Sequence, residues 1–333
     1  YQFSTNILNI LELRNLVSLI FDLISKSKIV HFYNNLTSLK VAIFLFFIPV
    51  KKLIVHERGS AWNLSSKRGF ILKFIVWKSD LVLANSMATK ALIEKKFGIS
   101  KNKIKVIHNG VNTSIRLKKK SLENEKTFFI GFIGRLDTPK GVHILISAMH
   151  NLKYENIKLI IAGDGPLKQD LANKARNLKN IQFIGRVSDP YKFFNTISLL
   201  VVPSIREPLG NVCLEAGLCR VPVLAANVDG LPEIIENKIS GELIDATEEI
   251  SINTVQGAIS LPEFVVNPVK GNLSAPKQIN PSILAKRILK LSSQDDKLKY
   301  YSDELNKKVK NKFSIDRYRR ELHKMYREID IKG

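Results

Sequence analysis

Cysteine is almost absent from this sequence, which carries only Cys213 and Cys219 in 333 residues. Their separation does not match the ligand spacing of a cysteine metal site. The sequence therefore predicts a buried, reduced pair, as is usual in a cytosolic protein.

Long hydrophobic runs are also missing, and no secretory signal is visible. The longest run, Val41 to Val50, is about half the length that a membrane-spanning helix needs. It is typical of a core helix that ends before Pro49. An alternative is a segment that touches a membrane with the help of Lys51 and Lys52.

Acidic residues are scarce beside basic ones, with 30 Asp and Glu against 52 Lys and Arg and a net charge of +22. Such a balance favours anionic partners, namely a membrane face, nucleic acid or phosphorylated ligands, although it can also serve only to solvate the surface. Because no RNP-like or helix-turn-helix motif occurs and the basic residues are spread along the chain, we expect no nucleic-acid partner.

The first part of the chain alternates between helical and strand patterns. Leu8 to Ile24 has helical spacing with Asn6 as its cap, Ile29 to Tyr33 is a strand, Ser38 to Phe47 a helix and Leu53 to His56 a strand. This rhythm predicts a parallel α/β sheet, whose ligands bind at the carboxyl ends of the strands.

His56 stands at one of those strand ends, in the stretch VHERG. A single histidine there is more often a packing residue than a catalytic one. Glu57 and Arg58 are alternatives, and Arg58 could contact a charged acceptor.

Further elements complete two α/β regions, and 45% hydrophobic residues suffice for two cores. We expect a first domain over 1–113, a linker over 114–126, a second domain over 127–311 and a final helix over 312–333 that packs back on the first domain. The predicted strands and helices between the two ends are Ile71 to Trp77, Leu81 to Asn85, Ser86 to Gly98, Lys105 to Ile107, Phe128 to Ile133, Gly141 to His150, Ile157 to Ala162, Ile181 to Ile184, Val223 to Ala226, Ile283 to Leu291 and Lys297 to Lys312.

The chain is organised around the stretch that follows a buried strand at Ile197 to Pro203. A loop from Arg206 to Gly210 leads into a helix from Asn211 to Cys219, whose free N–H groups and dipole suit a phosphate. Glu207 and Glu215 flank that position. Carboxylates are poor partners for phosphate and good partners for hydroxyls, so the pattern favours a nucleotide sugar, unless the two glutamates are a chance pair or a capping contact.

A second basic cluster follows the strand Phe128 to Ile133. Gly134 lets a ligand approach the backbone, and Arg135 and Lys140 can neutralise a diphosphate. In most proteins an isolated Arg and Lys at this spacing would be surface charges.

Two long segments carry a resemblance to a known family. EPLGNVCLEAGLCRVPVLAANVDGLPEII and GFIGRLDTPKGVHILISAM resemble the donor-binding and phosphate-binding segments of the retaining glycosyltransferases of family 4, and NGVN at 109–112 resembles their interdomain element. The resemblance implies the GT-B fold, in which two Rossmann-like doubly wound domains face a cleft. No glycine precedes Gly59, so the family's first glycine-rich loop is missing and the N-terminal domain is expected to be incomplete.

The resemblance also implies a set of site residues. Glu207 would hold sugar hydroxyls, Glu215 the ribose, and His56 would face the donor sugar, while Arg135 and Lys140 would stabilise the leaving diphosphate. The remaining expected donor-binding residues are Gly134, Gly163, Gly185, Arg186, Gly210, Asn211, Val212 and Gly230.

The expected activity is transfer of a hexose-type sugar, with retention, from a UDP- or GDP-linked donor to a lipid-linked or surface-glycan acceptor. No Asp-x-Asp occurs, so no metal and no cofactor are expected. The expected location is cytoplasmic or peripheral on the inner membrane face. A sugar-nucleotide epimerase of the same fold and a basic nucleic-acid-binding protein are the alternatives.

An internal repeat follows the donor stretch. Residues 231–246 and 261–276 share Leu, Pro, Glu, Asn, Gly and Leu at matching positions, which makes the segment between Glu248 and Ser260 an expected insertion. Because only the first copy has a preceding glycine, the donor contact is assigned to that copy.

Overall fold

A computed structural model describes residues 29–331 apart from 34, 35, 37, 48, 49, 115–126, 154, 253 and 254. The helix expected over Leu8 to Ile24, with Asn6, and almost all of the expected linker lie outside the described residues.

The first domain is built on a four-stranded parallel sheet in the order β1-β2-β3-β4. Its apolar core lies between this sheet and the helices that connect the strands, as the strand–helix rhythm predicts. The elements are β1 (Ile29–Tyr33), α1 (Leu39–Phe47), β2 (Lys52–Glu57), α2 (Ser60–Asn63), α3 (Gly69–Lys78), β3 (Leu81–Ala84), α4 (Met87–Phe97) and β4 (Ile104–Val106).

Helix α4 shows how local sequence sets these bounds. The Ser86 hydroxyl accepts a hydrogen bond from the Thr89 amide at 2.9 Å, which caps the first turn. Gly98 ends the helix at φ 67°, a conformation that glycine adopts without strain. The predicted start and end of this helix are therefore confirmed.

The second domain has a six-stranded parallel sheet in the order β10-β9-β8-β5-β6-β7. The strand order reverses between β5 and β8, so this is a doubly wound sheet with its ligand-binding crevice expected at that point. The elements are β5 (Phe128–Ile133), α5 (Val142–His150), β6 (Ile157–Ala162), α6 (Lys168–Ala175), β7 (Ile181–Gly185), α7 (Pro190–Phe194), β8 (Leu199–Val202), α8 (Asn211–Leu218), β9 (Val223–Ala226), α9 (Leu231–Ile234), β10 (Glu242–Ile244), β11 (Val265–Val266), β12 (Leu273–Ser274), α10 (Pro281–Leu291), α11 (Asp295–Lys312) and α12 (Ile315–Ile331).

Helices α6 and α7 are absent from the sequence-based prediction. Helix α6 is mostly polar and buries only Leu171 and Ala175, so it has almost no apolar periodicity. Helix α7 is five residues long and depends on Asp189, whose carboxylate accepts hydrogen bonds from the amides of Tyr191 and Lys192.

Helix α12 returns to the first domain. Leu322 and Met325 pack against Ile54 and Leu83 on the face of the first sheet that α1, α3 and α4 leave uncovered. At its start, Arg317 donates hydrogen bonds to the carbonyls of the interdomain stretch at 108–109, at 2.6 and 3.0 Å. The two domains are therefore joined at a second place besides the linker.

The two copies of the internal repeat fold differently. The first forms α9 and β10, whereas the second forms the antiparallel hairpin β11–β12. Val266 of the hairpin packs into the core of the first domain, and Glu263 accepts hydrogen bonds from Ser66 and lies 3.2 Å from the Lys96 ammonium. The hairpin thus bridges the domains.

Candidate active site

The carboxyl ends of β5 and β8 face the loop that follows β2 in the first domain. Arg206 donates hydrogen bonds to the Gly59 carbonyl at 3.3 Å and to the Asn63 side chain at 2.9 Å. The Ser86 hydroxyl also donates to the Pro208 carbonyl at 2.6 Å. These contacts close one end of a cleft between the domains, beside the point where the strand order reverses.

Lys140 and Glu207 are brought together in this cleft. The ammonium of Lys140 lies 2.6 Å from Oε2 of Glu207, and the Ser204 hydroxyl donates to the same oxygen at 3.3 Å. A side chain at Gly141 would bring its Cβ within 2.0 Å of the Pro203 carbonyl oxygen, so the loop carrying Lys140 requires glycine to pack this closely. The Lys140 ammonium and the other carboxylate oxygen of Glu207, Oε1, are thus left for a ligand.

Arg135 follows β5 and is more exposed. Its Nε lies 2.8 Å from Oδ2 of Asp137, and its side chain is 57% exposed. Asp137 is buried and accepts hydrogen bonds from the amides of Thr138 and Ile259. Since only one edge of the guanidinium faces Asp137, the group keeps donors for an anionic ligand.

Three predicted glycines lie where β5, β6 and β7 end side by side. A Cβ on Gly163 would stand 1.8 Å from the Gly134 carbonyl oxygen, and the Gly163 amide donates to the Gly185 carbonyl at 2.7 Å. Arg186 lies next to them, 84% exposed and 3.7 Å from a carboxylate oxygen of Asp164. Because these glycines have no side chains, a nucleotide base could pack directly against the backbone here.

No side chain within the described residues caps the N-terminus of α8. Gly210 precedes it at φ 100°, and the side chain of Asn211 accepts a hydrogen bond from Asn109 of the first domain at 2.9 Å. The amides of Asn211 and Val212 have no backbone acceptor within the part of the chain that the structure describes. An anion can bind there.

Glu215 lies half-buried in the second turn of the same helix, and burial raises the pKa of its carboxyl group. No hydrogen bond or ion pair engages that carboxylate among the described residues. Cys213 on this helix and Cys219, which follows its last residue, are buried and form no disulfide, in agreement with the prediction.

His56 is buried at the end of β2, and burial together with His31 and Arg58 lowers its pKa to about 2. Its ring lies 5.4 Å from that of His31 and 5.1 Å from that of Tyr33. Neither ring nitrogen has a hydrogen-bond partner among the described residues. No contact joins His56 to Lys140 or Glu207, and its role at the donor sugar stays a prediction.

Two sequence families together match most of the chain. Residues 3–115 match Glycosyltransferase Family 4, and residues 114–260 match Glycosyl transferases group 1. The chain belongs to these family 4, group 1 glycosyltransferases.

Individual relatives agree with this family. The capsular polysaccharide biosynthesis glycosyltransferase CapM of Staphylococcus aureus is 27% identical over 74% of this chain and 60% of its own length. The N-acetylgalactosamine-N,N'-diacetylbacillosaminyl-diphospho-undecaprenol 4-alpha-N-acetylgalactosaminyltransferase of Campylobacter jejuni is 29% identical over 60% of this chain and 55% of its own length. The matches span 60 to 64% of the length of the first three curated relatives.

The fold agrees with that of solved structures. Anabaena HepE in complex with UDP and glucose superimposes with a TM-score of 0.74 at 20% identity, covering 94% of this chain and 81% of HepE. The expected GT-B architecture of two Rossmann-like domains is therefore confirmed.

Three residues of this cleft make contacts that the sequence does not predict. Arg206 is predicted only as the start of a loop, yet it joins the domains. Glu233 lies in the repeat segment 231–246, and it accepts hydrogen bonds from the amides of Met87 and Ala88 and lies 2.6 Å from His108. These contacts cross between domains, and nothing in the local sequence signals them.

Asp229 is the third, and it holds the loop of Glu207 in place. Its two carboxylate oxygens accept hydrogen bonds from the amides of Glu207, at 2.9 Å, and Val266, at 2.7 Å. The residue is 2% exposed and has φ 46°, which Asp and Asn tolerate better than most residues. Burial raises its pKa to about 7.

Asp229 is expected to make the free energy of unfolding fall as pH rises from about 4 to about 7. In that range the unfolded chain releases this proton while the folded chain retains it, so deprotonation favours unfolding until the folded pKa is passed. Urea denaturation of the wild-type protein and of Asp229→Asn at pH 5 and pH 8 isolates the effect, because all other groups titrate in both. If the free energy of unfolding changed by the same amount between pH 5 and pH 8 in the two proteins, Asp229 would not be the group responsible.

Proposed function

We propose that this protein is a retaining glycosyltransferase that moves a hexose-type sugar from a UDP- or GDP-linked donor to a lipid-linked or glycan acceptor. The observation that carries the proposal is the Lys140–Glu207 pair beside the uncapped N-terminus of α8, at the reversal point of a doubly wound sheet. A cation, a helix dipole and a hydroxyl-binding carboxylate in one place suit a diphosphate with sugars on both sides.

The chemical step builds negative charge on the leaving diphosphate. Lys140, Arg135 and the amides of Asn211 and Val212 would stabilise that charge, and fixed donors of this kind need no reorganisation during the reaction. Glu207 would orient Lys140 and accept hydrogen bonds from sugar hydroxyls with its second oxygen. Glu215 would accept the ribose hydroxyls. Positioning and electrostatics thus supply the catalysis.

The relatives support the choice of donor and acceptor classes. The name of the Campylobacter jejuni enzyme states a diphospho-undecaprenol acceptor, CapM is named for capsular polysaccharide biosynthesis, and HepE was crystallised with UDP and glucose. None of the helices that the structure describes combines the length and the hydropathy that a membrane span requires.

The deciding experiment measures protection against thermal unfolding by a panel of UDP- and GDP-sugars, followed by transfer assays with the donor that protects. A donor at 100 times its dissociation constant stabilises by about 2.7 kcal/mol. Nuclear magnetic resonance of the product should show the anomeric configuration of the donor. Release of an epimerised sugar without an acceptor would instead identify an epimerase.

Transfer is expected to be independent of added metal. The chain has no Asp-x-Asp to bridge a metal to the diphosphate, and Arg135 and Lys140, each paired with a carboxylate, are the cations proposed to bind it instead. The measurement is the initial transfer rate with and without excess EDTA. Loss of the rate with EDTA and recovery with Mg²⁺ or Mn²⁺ would show that this prediction is wrong.

A further inference from the structure

A row of aromatic side chains lies on the surface of the first domain, outside the cleft. Phe46 and Phe47 of α1 are 53% and 76% exposed, and Trp77 of α3 is 69% exposed. Their rings form a chain of contacts through Phe74, with centroid distances of 5.1 Å for Phe46–Phe47, 5.8 Å for Phe46–Phe74 and 5.9 Å for Phe74–Trp77. We call these four residues together with Phe70, which is 62% exposed, the aromatic ridge.

The ridge is a second apolar face of helices that already have a core face. Ala42 and Leu45 of α1 and Leu72 and Ile75 of α3 are buried in the first domain. Phe74 also packs against that core, whereas Phe46, Phe47, Phe70 and Trp77 do not belong to it. A contiguous exposed apolar surface of this kind is typical of an interaction site.

The segment that carries the ridge is mostly basic. Residues 38–78 contain eight Lys and Arg and a single acidic residue, Glu57, and the next acidic residue, Asp80, lies 3.6 Å from the Lys52 ammonium. Glu57 is buried and accepts hydrogen bonds from the amides of Gly59 and Ala61 and from the Ser60 hydroxyl. The exposed lysines Lys40 and Lys73 lie on the same two helices as the ridge, without an acidic residue to neutralise them in either helix.

A groove on the first domain includes one residue of the ridge. It is lined by Phe70 together with Leu39, Ile71 and Asn63. Asn63 accepts the hydrogen bond from Arg206, the residue next to Glu207. The groove therefore has one lining residue in the ridge and one in contact with the loop of Glu207.

We propose that the aromatic ridge docks this domain on the surface of an anionic lipid bilayer. Aromatic rings are stable at the boundary between headgroups and acyl chains, and lysines beside them bind lipid phosphates, so a bilayer satisfies both features of the surface at once. Binding of this kind does not depend on the proposed transfer reaction, and it can be measured without any sugar donor.

The chain contains only two tryptophans, which makes the test direct. Trp62 is 1% exposed in the core, and Trp77 is in the ridge. Vesicles that contain phosphatidylglycerol are expected to shift the tryptophan emission of the full chain to shorter wavelength, and vesicles of phosphatidylcholine alone are expected to shift it much less. Trp77→Phe should abolish the shift, and brominated lipids should quench the wild-type emission.

Charge reversal locates the contact. The double variant Lys40→Glu/Lys73→Glu is expected to weaken binding to the anionic vesicles by about tenfold or more, because each lysine near the surface contributes to the attraction. The matched control Lys299→Glu/Lys310→Glu makes the same change of net charge on exposed residues of α11 and should bind almost as the wild type does.

Several results would overturn the proposal. Absence of vesicle binding, or an equal loss in both double variants, would show that the ridge is not a bilayer contact. A wavelength shift that depends on protein concentration without vesicles would assign the ridge to contact between copies of the chain. Circular dichroism of each variant checks that the fold is kept, and unchanged donor binding checks that the cleft is intact.

Discussion

Replacing Lys140 by alanine is expected to lower kcat/KM for the sugar donor by about 10²–10³, the usual loss when one donor to the developing charge is removed. The reason is the position of its ammonium, which lies 2.6 Å from Glu207 at the end of the cleft where the diphosphate is proposed to bind. Initial rates of nucleotide release at varied donor concentration measure the effect.

Lys140→Ala is also expected to lower stability, and the experiment must distinguish this loss from the loss of turnover. Removing Lys140 leaves the mostly buried carboxylate of Glu207 with the weaker hydrogen bond from Ser204, so the free energy of unfolding should also fall. The double variant Lys140→Ala/Glu207→Gln removes the unpaired charge and should recover much of that stability without recovering turnover. Recovery of both would show that Lys140 acts only on the fold.

A matched lysine controls for the loss of charge. Lys158 is exposed near the amino end of β6, the opposite end of the same sheet from the cleft. Lys158→Ala should keep both turnover and stability close to those of the wild type. If Lys140→Ala also keeps its turnover while folded, the proposed phosphate contact is wrong.

Much of the fold follows from short-range patterns in the sequence. The strands at Ile29–Tyr33, Phe128–Ile133 and Ile157–Ala162 have the predicted bounds, because branched and aromatic runs between turn residues have few alternatives. The small polar helix α6 could not be predicted, since its stability comes from packing of two residues rather than from a periodic pattern.

The sequence indicates which segments carry the candidate site but not the geometry of their residues. The loop and helix carrying Glu207 and Glu215 have local signals, a strand followed by glycine and a helix start. The pairing of Lys140 with Glu207 joins positions 67 residues apart, and such long-range contacts depend on how the strands are ordered. The internal repeat also shows that local sequence does not determine these contacts. Glu233 and Glu263 occupy equivalent positions in the repeat, yet their segments fold differently.

Glu215→Gln is expected to weaken binding of the free nucleoside diphosphate as well as of the sugar donor. Glu215 is half-buried on α8, and its carboxylate is not engaged by any described residue, so it can accept the ribose hydroxyls. A hydrogen bond to a charged group contributes about 1.5–3 kcal/mol, which corresponds to a roughly 10- to 150-fold change in the dissociation constant. Calorimetric titration with UDP and with GDP measures it.

Glu207→Gln is the matched comparison, since it makes the same chemical change on the sugar side of the proposed phosphate position. It should lower turnover, because the amide has half the acceptor capacity of the carboxylate toward the sugar hydroxyls, and it should leave the affinity for the free nucleoside diphosphate, which carries no such sugar, nearly unchanged. Equal weakening of nucleotide binding by the two variants would contradict this division of roles. It would instead assign both carboxylates to the nucleotide half of the donor.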